Sequence, residues 1–499
     1  MLLSLVTLIL ILLVLFLYIQ YRKPKNYPPG PPWIPIVGHL YTIKNLSRSL
    51  GGQHFAFEHL AGQLNTNVIG LKLGNQLTVI VLSYPLVKEI LTRDVFEGRP
   101  DNFFMRLRTM GTRNGITGTD GDLWRIQRSF VVKHLRNFGF GGDIQSSLIK
   151  DEVEELIKVI PSSGTQIKTL LAPSVINIFW KLVSSSRLTT NDNRVIRLIS
   201  LLSARSKAFD MAGGTLNIFP WLRFIMPEKS GYKLICEIND ELRELFMETI
   251  QEHREVWNEN KTEDLIDIFI KEIRSNSPTF SEEQLVMVML DLFIAGSQTT
   301  STTLDFAFMI MIIRPDIQQK IQFYIDSTFG ENETINYSDR HRVPYIEAFI
   351  MEVIRYFVIT PVIGPRRALC DTELHGYRIP KNTTILLSLY SLYYDKAYWT
   401  DPELFRPERF IDNDGKLIFS DRLIPFSLGR RRCLGEVVAR QCLFNFFTEI
   451  IRRYEITLQP GYGMPSLIPQ QGIVVSPQPY QARFTKRLPM KKQYKMDLV

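Results

Sequence analysis

The first strong hydrophobic pattern is the continuous apolar stretch Leu2–Tyr21, which only three polar side chains interrupt. As an α-helix it would be about 30 Å long, which matches the hydrocarbon thickness of a bilayer. Arg22, Lys23 and Lys25 follow at once, and positive charge after a span keeps the following body in the cytosol. A cleaved signal peptide is the alternative, but its basic residues would precede the apolar stretch. The pattern therefore favours a retained membrane anchor.

A proline-rich segment, Tyr27–Pro32, separates this stretch from the rest of the chain. Prolines lack backbone donors and form a semi-rigid extended spacer, which suits a hinge between a membrane helix and a body. No further linker divides the remaining sequence, although its length exceeds that of most single-core domains. We therefore predict an anchor over residues 1–21, a basic and proline-rich hinge over 22–38 and one domain over 39–499.

Beyond the hinge, the apolar spacing is mostly that of helices, with a few short strand patterns. Alternation over Val68–Leu82, around a Gly74-Asn75 turn, predicts a hairpin, whereas Ile144–Ile273 has helical periodicity and Asp101–Ile116 is expected to be a loop. Further helices are predicted over Trp124–Leu135, Gln284–Ile313, Pro344–Phe357 and Glu436–Arg453, and strands over Tyr377–Pro380, Thr383–Leu389 and Gly472–Ser476. The fold class is mainly α with a smaller β region.

A second apolar patch, Leu216–Met226, surrounds Pro220 and Trp221. Tryptophan and phenylalanine favour membrane interfaces, so this segment fits membrane contact near a substrate entrance. Packing inside the core fits the same pattern, and both interpretations stay open.

Charge and cysteine content narrow the class of protein. The net charge of +8 is modest for 499 residues and its basic residues are dispersed, which disfavours nucleic acid and fits an anionic membrane or an acidic protein partner. The four cysteines (Cys236, Cys370, Cys433 and Cys442) show no paired or CxxC spacing. Their spacing argues against a disulfide framework and against a zinc site, and it indicates a reducing compartment.

One cysteine, Cys433, lies between a run of arginines and a glycine. Its spacing to Phe426, Gly429, Arg431 and Gly435 resembles the haem-binding loop of the cytochrome P-450 family. A single thiolate pushes electron density onto haem iron and favours O–O cleavage, and Arg431 could neutralise a haem propionate. The glycines allow turns and close backbone approach, and nearby cations lower a thiol pKa. A basic loop around an incidental buried cysteine is the alternative.

Small and hydroxyl side chains interrupt the long predicted helix at Ala295, Gly296 and Thr299. Thr299 can bond the carbonyl of Ala295 and locally open the helix. The segment resembles the part of the family's fold that activates oxygen, in which an acid precedes the threonine. Here Gln298 occupies that position, and an amide cannot supply a titrating proton. A relay would then depend on Thr299 and water, or on another acid such as Asp291. By itself, the pattern also fits a core helix rich in serine and threonine.

Glu352 and Arg355 are i,i+3 neighbours on one predicted helix. Such pairs are common on helix surfaces and contribute little there. The later Pro407–Phe410 segment resembles the loop that supplies the family's third partner, which is Arg409 here. The resemblance implies a buried Glu352–Arg355–Arg409 network with a structural role, holding the thiolate loop in place.

The resemblance extends over the whole chain and assigns further roles. It implies propionate contacts for Trp124, Arg128 and Arg366, and a pocket lined by Ile359–Gly364. Apolar pocket positions are expected, more weakly, at Phe103, Phe104, Ile294, Val362 and Ile473. Leu135–Gly139 is similar to the branch that includes vertebrate drug-metabolising enzymes and many insect members.

The function that the resemblance implies is an insect-like, microsomal haem-thiolate monooxygenase. Its fold would be a helix-rich triangular body around a buried haem b, with Cys433 as the ligand of the iron, behind an anchor in the endoplasmic reticulum membrane. Electrons would come from NADPH through a flavoprotein reductase, with cytochrome b5 as a second candidate partner. Basic residues that could dock an acidic partner surface are Arg125, Lys133, Arg430, Arg432 and Arg440.

Two other classes of function stay open at this point. A family member can act as a peroxide isomerase or dehydratase without external electrons, which the amide at Gln298 slightly favours and Thr299 opposes. A non-catalytic haem- or lipid-binding membrane protein is the third class. The apolar pocket positions predict a hydrophobic substrate. Its identity stays open, because a fold does not specify the occupant of its pocket. The insect-like resemblance makes hormone sesquiterpenoids, ecdysteroids and foreign compounds the candidates.

Overall fold

The computed structural model describes residues 2–140, 142–161, 163–189, 192–208, 216, 219–259 and 263–488. The helices are α1 Leu2–Tyr21, α2 Leu40–Leu50, α3 Gln53–Leu64, α4 Tyr84–Thr92, α5 Phe103–Arg108, α6 Gly121–Asn137, α7 Asp143–Val159, α8 Ile167–Ser184, α9 Asn193–Ala208, α10 Leu222–Ile225, α11 Tyr232–Val256, α12 Leu265–Arg274, α13 Glu282–Ile313, α14 Pro315–Thr328, α15 Pro344–Phe357, α16 Leu389–Tyr393 and α17 Glu436–Arg453. Helices dominate the described residues, so the predicted mainly α class is confirmed.

In the described residues the strands form one four-stranded sheet and two antiparallel two-stranded sheets, β4-β5 and β7-β8. They are β1 Val68–Leu73, β2 Gln76–Val81, β3 Val362–Arg367, β4 Thr372–Leu374, β5 Tyr377–Ile379, β6 Thr384–Ser388, β7 Tyr454–Leu458 and β8 Ala482–Lys486. The order in the larger sheet is β1-β2-β6-β3, and only β2 and β6 are parallel. The predicted hairpin is confirmed, because Val68 pairs with Val81 and Leu73 with Gln76 across a two-residue turn.

Helix α13 forms the centre of the core. Ser281 caps its N-terminus, because the Ser281 hydroxyl accepts the backbone N–H of Gln284, and the helix is buried over most of its length. Phe179 of α8 lies so close that a Cβ on Gly296 would be 2.1 Å from its ring. Among the described residues, α8 and α13 are long and apolar enough to cross a membrane, but 67% and 61% of their apolar windows are buried inside the protein. They are therefore core helices.

Two local predictions are wrong. The expected loop Asp101–Ile116 contains α5, because the Asn102 side chain accepts the Met105 N–H at 2.9 Å and caps a helical turn. The expected strand Gly472–Ser476 is a bend that a single bridge between Gln470 and Ser476 closes. No partner strand lies beside it in the described part of the chain, so alternating apolar residues there cannot form a ladder.

The proline-rich segment is packed against the sheet. The buried Tyr27 hydroxyl donates to the carbonyls of Leu71 and Thr78 at 3.2 and 3.0 Å. The Pro29 carbonyl accepts the N–H of Gly70 at 2.7 Å. The chain after α1 is thus held on β1 from Tyr27 onward, and the free length of the predicted hinge is shorter than residues 22–38. The boundaries of the domains themselves stay a prediction.

Candidate active site

A cavity of about 320 Å³ lies between α13 and the Cys433 loop, and we call it the central cavity. One wall is the stretch Ala295–Thr303 of α13, and the opposite wall is Pro425–Gly435. Helix α6 and the segment after α15 close the sides. Its surface is mostly apolar, but the lining includes a thiol, several arginines, hydroxyl groups and the carboxylate of Asp291.

The loop that carries Cys433 has a defined backbone geometry. The N–H of Cys433 donates to the carbonyl of Phe426 at 2.8 Å and closes the turn. Gly429 has φ +70° and a Cβ there would meet the Leu91 carbonyl oxygen at 2.1 Å, so this position requires glycine. Gly435 differs from the expectation, because its φ of −89° suits any residue. A Cβ on Gly435 would meet no protein atom within 4 Å, and the residue lines the cavity, so only close approach of a cofactor would require glycine there.

Cys433 lines the central cavity, and its side chain is accessible from it. Burial raises the pKa of the Cys433 thiol, and the backbone N–H of Gly435 and the guanidinium of Arg128 lower it. The expected lowering by a nearby cation and a backbone N–H is thus present, but desolvation outweighs it. A coordinated metal ion deprotonates a thiol outright, so the residue suits a metal ligand better than a free nucleophile.

Arg99 and Arg431 line the central cavity, and the buried Arg366 lies close to both of them, so the three form a cluster of positive charge. Burial, together with the charges of the neighbouring Arg99 and Arg431, lowers the pKa of Arg366 to about 8. Burial likewise lowers the pKa of Arg431 to about 9 and that of Arg99 to about 10. Buried guanidinium N–H groups without a partner remain on all three: Nε of Arg99 and Arg431, and Nε and Nη2 of Arg366.

This cluster fits an anionic cofactor edge. Like charges buried together are unfavourable unless an anion is bound beside them, and haem carries two carboxylate propionates. The unpartnered N–H groups therefore match the group that the resemblance implies. Sequence reasoning found Arg366 and Arg431 but missed Arg99, which no motif marks. Arg99 reaches the cluster because its Nη1 donates to the carbonyls of Gly364 and Pro365 at 3.0 and 2.7 Å.

Trp124 and Arg128 of α6 lie on the same side of the cavity as this cluster. The guanidinium carbon of Arg431 is 3.8 Å from the centre of the Trp124 ring, which is close enough for a cation–π contact. Nη2 of Arg128 donates to the Arg432 carbonyl at 2.8 Å. The fold thus brings the predicted pair next to the Cys433 loop. Its contact with a propionate stays a prediction.

On the opposite wall, Thr299 has the geometry that its spacing predicts. Its hydroxyl donates to the Ala295 carbonyl at 2.7 Å, and the Thr303 hydroxyl donates to the Thr299 carbonyl at 2.8 Å. Ala295, Thr299 and Thr303 line the central cavity, but Gln298 does not. Gln298 lines a second cavity beside it, because consecutive residues of a helix point about 100° apart.

Asp291 lies one turn before this segment, and its carboxylate pins a loop to α13. Oδ2 accepts the N–H groups of Ile116 and Thr117 at 2.7 and 2.9 Å, and the Thr117 hydroxyl donates to Oδ1. Burial raises the pKa of Asp291, and these donors lower it. With three donors in place, the carboxylate holds the loop that closes one side of the cavity.

Glu352 and Arg355 of α15 form a fully buried ion pair. Oε2 of Glu352 is 2.7 Å from Nε of Arg355 and Oε1 is 2.8 Å from Nη2. Arg409 joins with its Nε 3.1 Å from Oε2 of Glu352, and the N–H of Arg406 donates to Oε1 at 2.8 Å. Arg355 also bonds the carbonyl of Tyr393 at 3.0 Å. The fold thus brings the predicted three residues together at one point.

The weakly predicted pocket residues lie elsewhere. Phe103 and Phe104 belong to an apolar cluster with Leu216 and Leu222. Val362 and Ile473 line the second cavity. Ile294 packs against the main core, and none of the five lines the central cavity among the described residues. Within the predicted lining 359–364, Ile359 and Thr360 do line it, as does Phe179, which no pattern indicated.

Comparison with known proteins agrees with this site. The family model described as cytochrome P450 matches residues 28–484. The probable cytochrome P450 305a1 of Drosophila melanogaster is 43% identical, over 97% of this chain and 99% of its own length. The farnesoate epoxidase of Bombyx mori is 36% identical over the same shares of both chains. Cytochrome P450 2J3 of Rattus norvegicus is 33% identical over 88% of this chain and 87% of its own.

Proposed function

Because the chain belongs to the cytochrome P450 family, we propose that it is a membrane-anchored haem-thiolate monooxygenase that inserts one atom of O₂ into a hydrophobic small molecule. The observation that carries the proposal is the central cavity. It has the Cys433 thiol on one wall, the Thr299 segment on the other and buried guanidinium groups without partners at its edge. Family membership by itself makes the protein a haem oxidoreductase. The insertion of one oxygen atom into a hydrophobic molecule is what we propose beyond it.

Each side chain then has a definite task. Bound haem supplies the oxygen chemistry. Cys433 holds the iron, Phe426 and Gly435 shape the loop around the ring, and Arg99, Trp124, Arg128, Arg366 and Arg431 hold the propionates. On the other wall, the Thr299 hydroxyl keeps the Ala295 carbonyl engaged and can hold a water in the cavity, through which a proton passes. Gln298 faces away from the cavity and can act only indirectly.

The electron supply is proposed to be NADPH through a flavoprotein reductase, with cytochrome b5 as a second partner. Arg125, Lys133, Arg430 and Arg432 are exposed on α6 and the Cys433 loop, and Arg440 is half-buried beside them on α17. Acids of this chain already pair with Arg125, Arg430 and Arg440. The charge that remains free to steer an acidic partner is therefore smaller than the sequence suggests.

We propose the endoplasmic reticulum membrane as the location, with α1 as the anchor. The described apolar side chains of α1 are exposed. A second exposed apolar surface supports membrane contact, since Trp221, Phe224, Ile225 and Met226 are between 41% and 75% exposed. Of the two interpretations of this patch, exposure favours contact with lipid over packing in the core.

The substrate is proposed to be a hydrophobic hormone or a foreign compound. The mostly apolar central cavity supports a hydrophobic occupant. A relative named as a farnesoate epoxidase supports an isoprenoid substrate and an epoxidation or hydroxylation outcome.

The first test is the carbon monoxide difference spectrum of the reduced protein. The parent is expected to give the band of a thiolate-ligated haem, and Cys433→Ser is expected to lose it, because serine supplies no thiolate. Cys370→Ser is the matched control, since Cys370 is exposed and outside the cavity. A thiolate band in Cys433→Ser, or its loss in the control alone, would overturn the assignment.

The second test separates monooxygenase from isomerase. With reductase and NADPH, the parent should form product, and Thr299→Ala should form several-fold less product per NADPH at normal haem content, because the hydroxyl that holds the proton-carrying water is gone. An isomerase would convert a peroxide without NADPH and would be nearly indifferent to Thr299→Ala. Unchanged coupling in this variant would remove the role given to Thr299. A protein with a normal thiolate band and no turnover of either kind would be the non-catalytic alternative.

A further inference from the structure

Phe179 of α8 packs with the tip of its ring against Gly296 of α13. A Cβ on Gly296 would lie 2.1 Å from Cζ of Phe179 and 2.4 and 2.5 Å from its two Cε atoms, so the ring occupies the place of a side chain. Gly296 lies inside α13 and its φ is not positive. Glycine is therefore required at this position by the contact with Phe179, and not by the backbone conformation.

The same ring forms part of the wall of the central cavity. Phe179 lines the cavity together with Ala295, Gly296 and Thr299, and it is the only described residue of α8 that does so. Its side chain is otherwise buried in the core. A change at Phe179 therefore acts both on the backbone of α13 and on the cavity that α13 borders.

The surrounding contacts hold α8 in place on both sides of Phe179. Trp180 is fully buried, and the centre of its ring is 5.5 Å from that of Phe293 on α13. The Asn177 side chain donates to the Leu188 carbonyl at 2.9 Å and accepts the Leu188 N–H at 3.2 Å. A close-packed interior transmits a displacement instead of absorbing it. If the Phe179 ring is pushed, the space open to it is the central cavity.

The part of α13 that Phe179 contacts is weakly constrained by its own hydrogen bonds. Four hydroxyl groups donate to the carbonyl four residues earlier, at 2.7–2.8 Å, and they belong to Ser297, Thr299, Ser301 and Thr303. Such bonds compete with the helical N–H donors and bend helices, and glycine adds backbone freedom. Packing from a neighbouring helix therefore has a large influence on the path of α13 at this point.

We propose that Phe179 is a positioning residue, which holds the Ala295–Gly296 turn of α13 so that the Thr299 hydroxyl keeps its place in the central cavity. The inference rests on the proposed monooxygenase function and adds to it a residue outside every motif of the sequence. The Ala295 carbonyl accepts the Thr299 hydroxyl at 2.7 Å, and Ala295 directly precedes Gly296. A displacement at Gly296 thus reaches Thr299 through one peptide unit and one hydrogen bond.

The test is a double-variant cycle on the full-length holoenzyme, with Phe179→Leu, Gly296→Ala and both changes together. Leucine lacks the Cε and Cζ atoms that meet the Gly296 position, and the methyl group of alanine refills that place, so the pair nearly conserves volume. With reductase and NADPH, each single variant should form several-fold less product per NADPH at normal haem content. The double variant should return to within about twofold of the parent, because substitutions of residues in contact are not additive.

Two further measurements do not depend on turnover, and they are the spin state of the ferric haem without substrate and the midpoint of thermal unfolding. Both single variants should shift the spin state, because the Thr299 hydroxyl and the water it holds are displaced, and the double variant should match the parent. Phe269→Leu is the matched control, because it removes the same ring atoms from a fully buried side chain of α12 that lines neither cavity. It should lower the unfolding midpoint and keep the parent's coupling and spin state.

Unchanged coupling in both single variants would overturn the proposal, as would a double variant no better coupled than the worse single one. An equal loss of coupling in Phe269→Leu would also overturn it, since general loosening of the core would then explain the effect. Lost haem in all three variants of the cycle would show that Phe179 builds the site instead of positioning Thr299. If the parent forms no NADPH-dependent product, the monooxygenase proposal has failed, and single variants with the parent's spin state would then overturn the role of Phe179 separately.

Discussion

Asp305 of α13 is a buried acid whose protonation the fold controls. Its side chain is almost entirely buried, and burial raises its pKa from the usual acid range to about 7. The Tyr480 hydroxyl donates to its Oδ1 at 2.8 Å and lowers the pKa, as does the charge of Lys168. The carboxyl is thus largely protonated below neutral pH. In the unfolded chain it would lose its proton near pH 4.

Because the two pKa values differ, ionising Asp305 lowers the free energy of unfolding as the pH rises, and Asp305→Asn should remove this loss of stability. Between about pH 4 and pH 7 the folded state holds one proton more than the unfolded state, so the loss is absent below this window and complete above it. From pH 5 to pH 8, the free energy of unfolding of the variant should gain about 2–3 kcal/mol relative to the parent. Denaturant unfolding of both proteins at four pH values measures it. If the free energies of unfolding of the parent and Asp305→Asn changed in parallel with pH, the shifted pKa would be contradicted. Glu333→Ala, at an exposed acid, is the control and should give a curve parallel to that of the parent.

At the residue scale, what the sequence could predict depended on local geometry. The Thr299–Ala295 bond follows from i,i+4 spacing alone. That Gln298 points away from the cavity follows from the same helix geometry, but the cavity it faces depends on α2, α8 and α9. The need for glycine at 296 comes from another helix, because a Cβ there would be 2.1 Å from the ring of Phe179. Contacts between distant segments, such as those of Arg99, have no signature in one sequence.

At the scale of elements, α15 joins three parts of the fold. Arg355 bonds carbonyls at Tyr393 and Pro402, at 3.0 and 2.9 Å. Arg409 follows in a short helical turn, Pro407–Phe410, and is bonded to the Leu404 carbonyl at 3.0 Å. The buried pair therefore fixes the path of the chain between α16 and the segment that leads to the Cys433 loop.

We predict that Glu352→Ala and Arg355→Ala fail through lost haem incorporation. Removing one partner leaves a buried charge uncompensated, which costs about 3–5 kcal/mol and loosens the chain before the Cys433 loop. Haem content per protein, from the haemochrome spectrum, is the measurement. Arg342→Ala is the control, because its ion pair with Glu333 is exposed and worth less than about 1 kcal/mol. Normal haem content with slower turnover would refute the structural role.

Helix boundaries were predictable where the sequence carries a local stop or start. The predicted ranges of α15 and α17 are the observed ones, since Pro344 opens the first helix and a glycine precedes the second. Apolar alternation predicts a strand at Gly472–Ser476, but it does not show whether a partner strand exists, and the segment is a bend. The sequence predicts a loop where α5 begins, because asparagine, which caps this helix at position 102, is also common in turns and loops.

At the scale of the whole molecule, two exposed apolar features are both proposed to contact the membrane. Helix α1 presents exposed apolar side chains, and the patch around Trp221 and Phe224 lies some two hundred residues later in the sequence. The segment after α1 is held against β1 through Tyr27. With so little free chain, an anchored body would keep a limited range of orientations toward the bilayer.

The last prediction is that the body faces the cytosol on a single N-terminal anchor. Protease added to intact microsomes should digest the body, because the cations after α1 stay on the cytosolic side. Asn45 and Asn382 each begin an Asn-X-Ser/Thr pattern, which is the acceptor for N-glycosylation. Both should carry no glycan, although Asn45 is exposed and would be open to modification in the lumen. Deleting residues 2–21 should move much of the protein to the soluble fraction, and Phe224→Ser in that deletion should move more. Protection of the body, or a glycan at Asn45, would contradict this topology, whereas a deletion variant that stays fully membrane-bound would assign the anchoring to the Trp221–Met226 surface instead of α1.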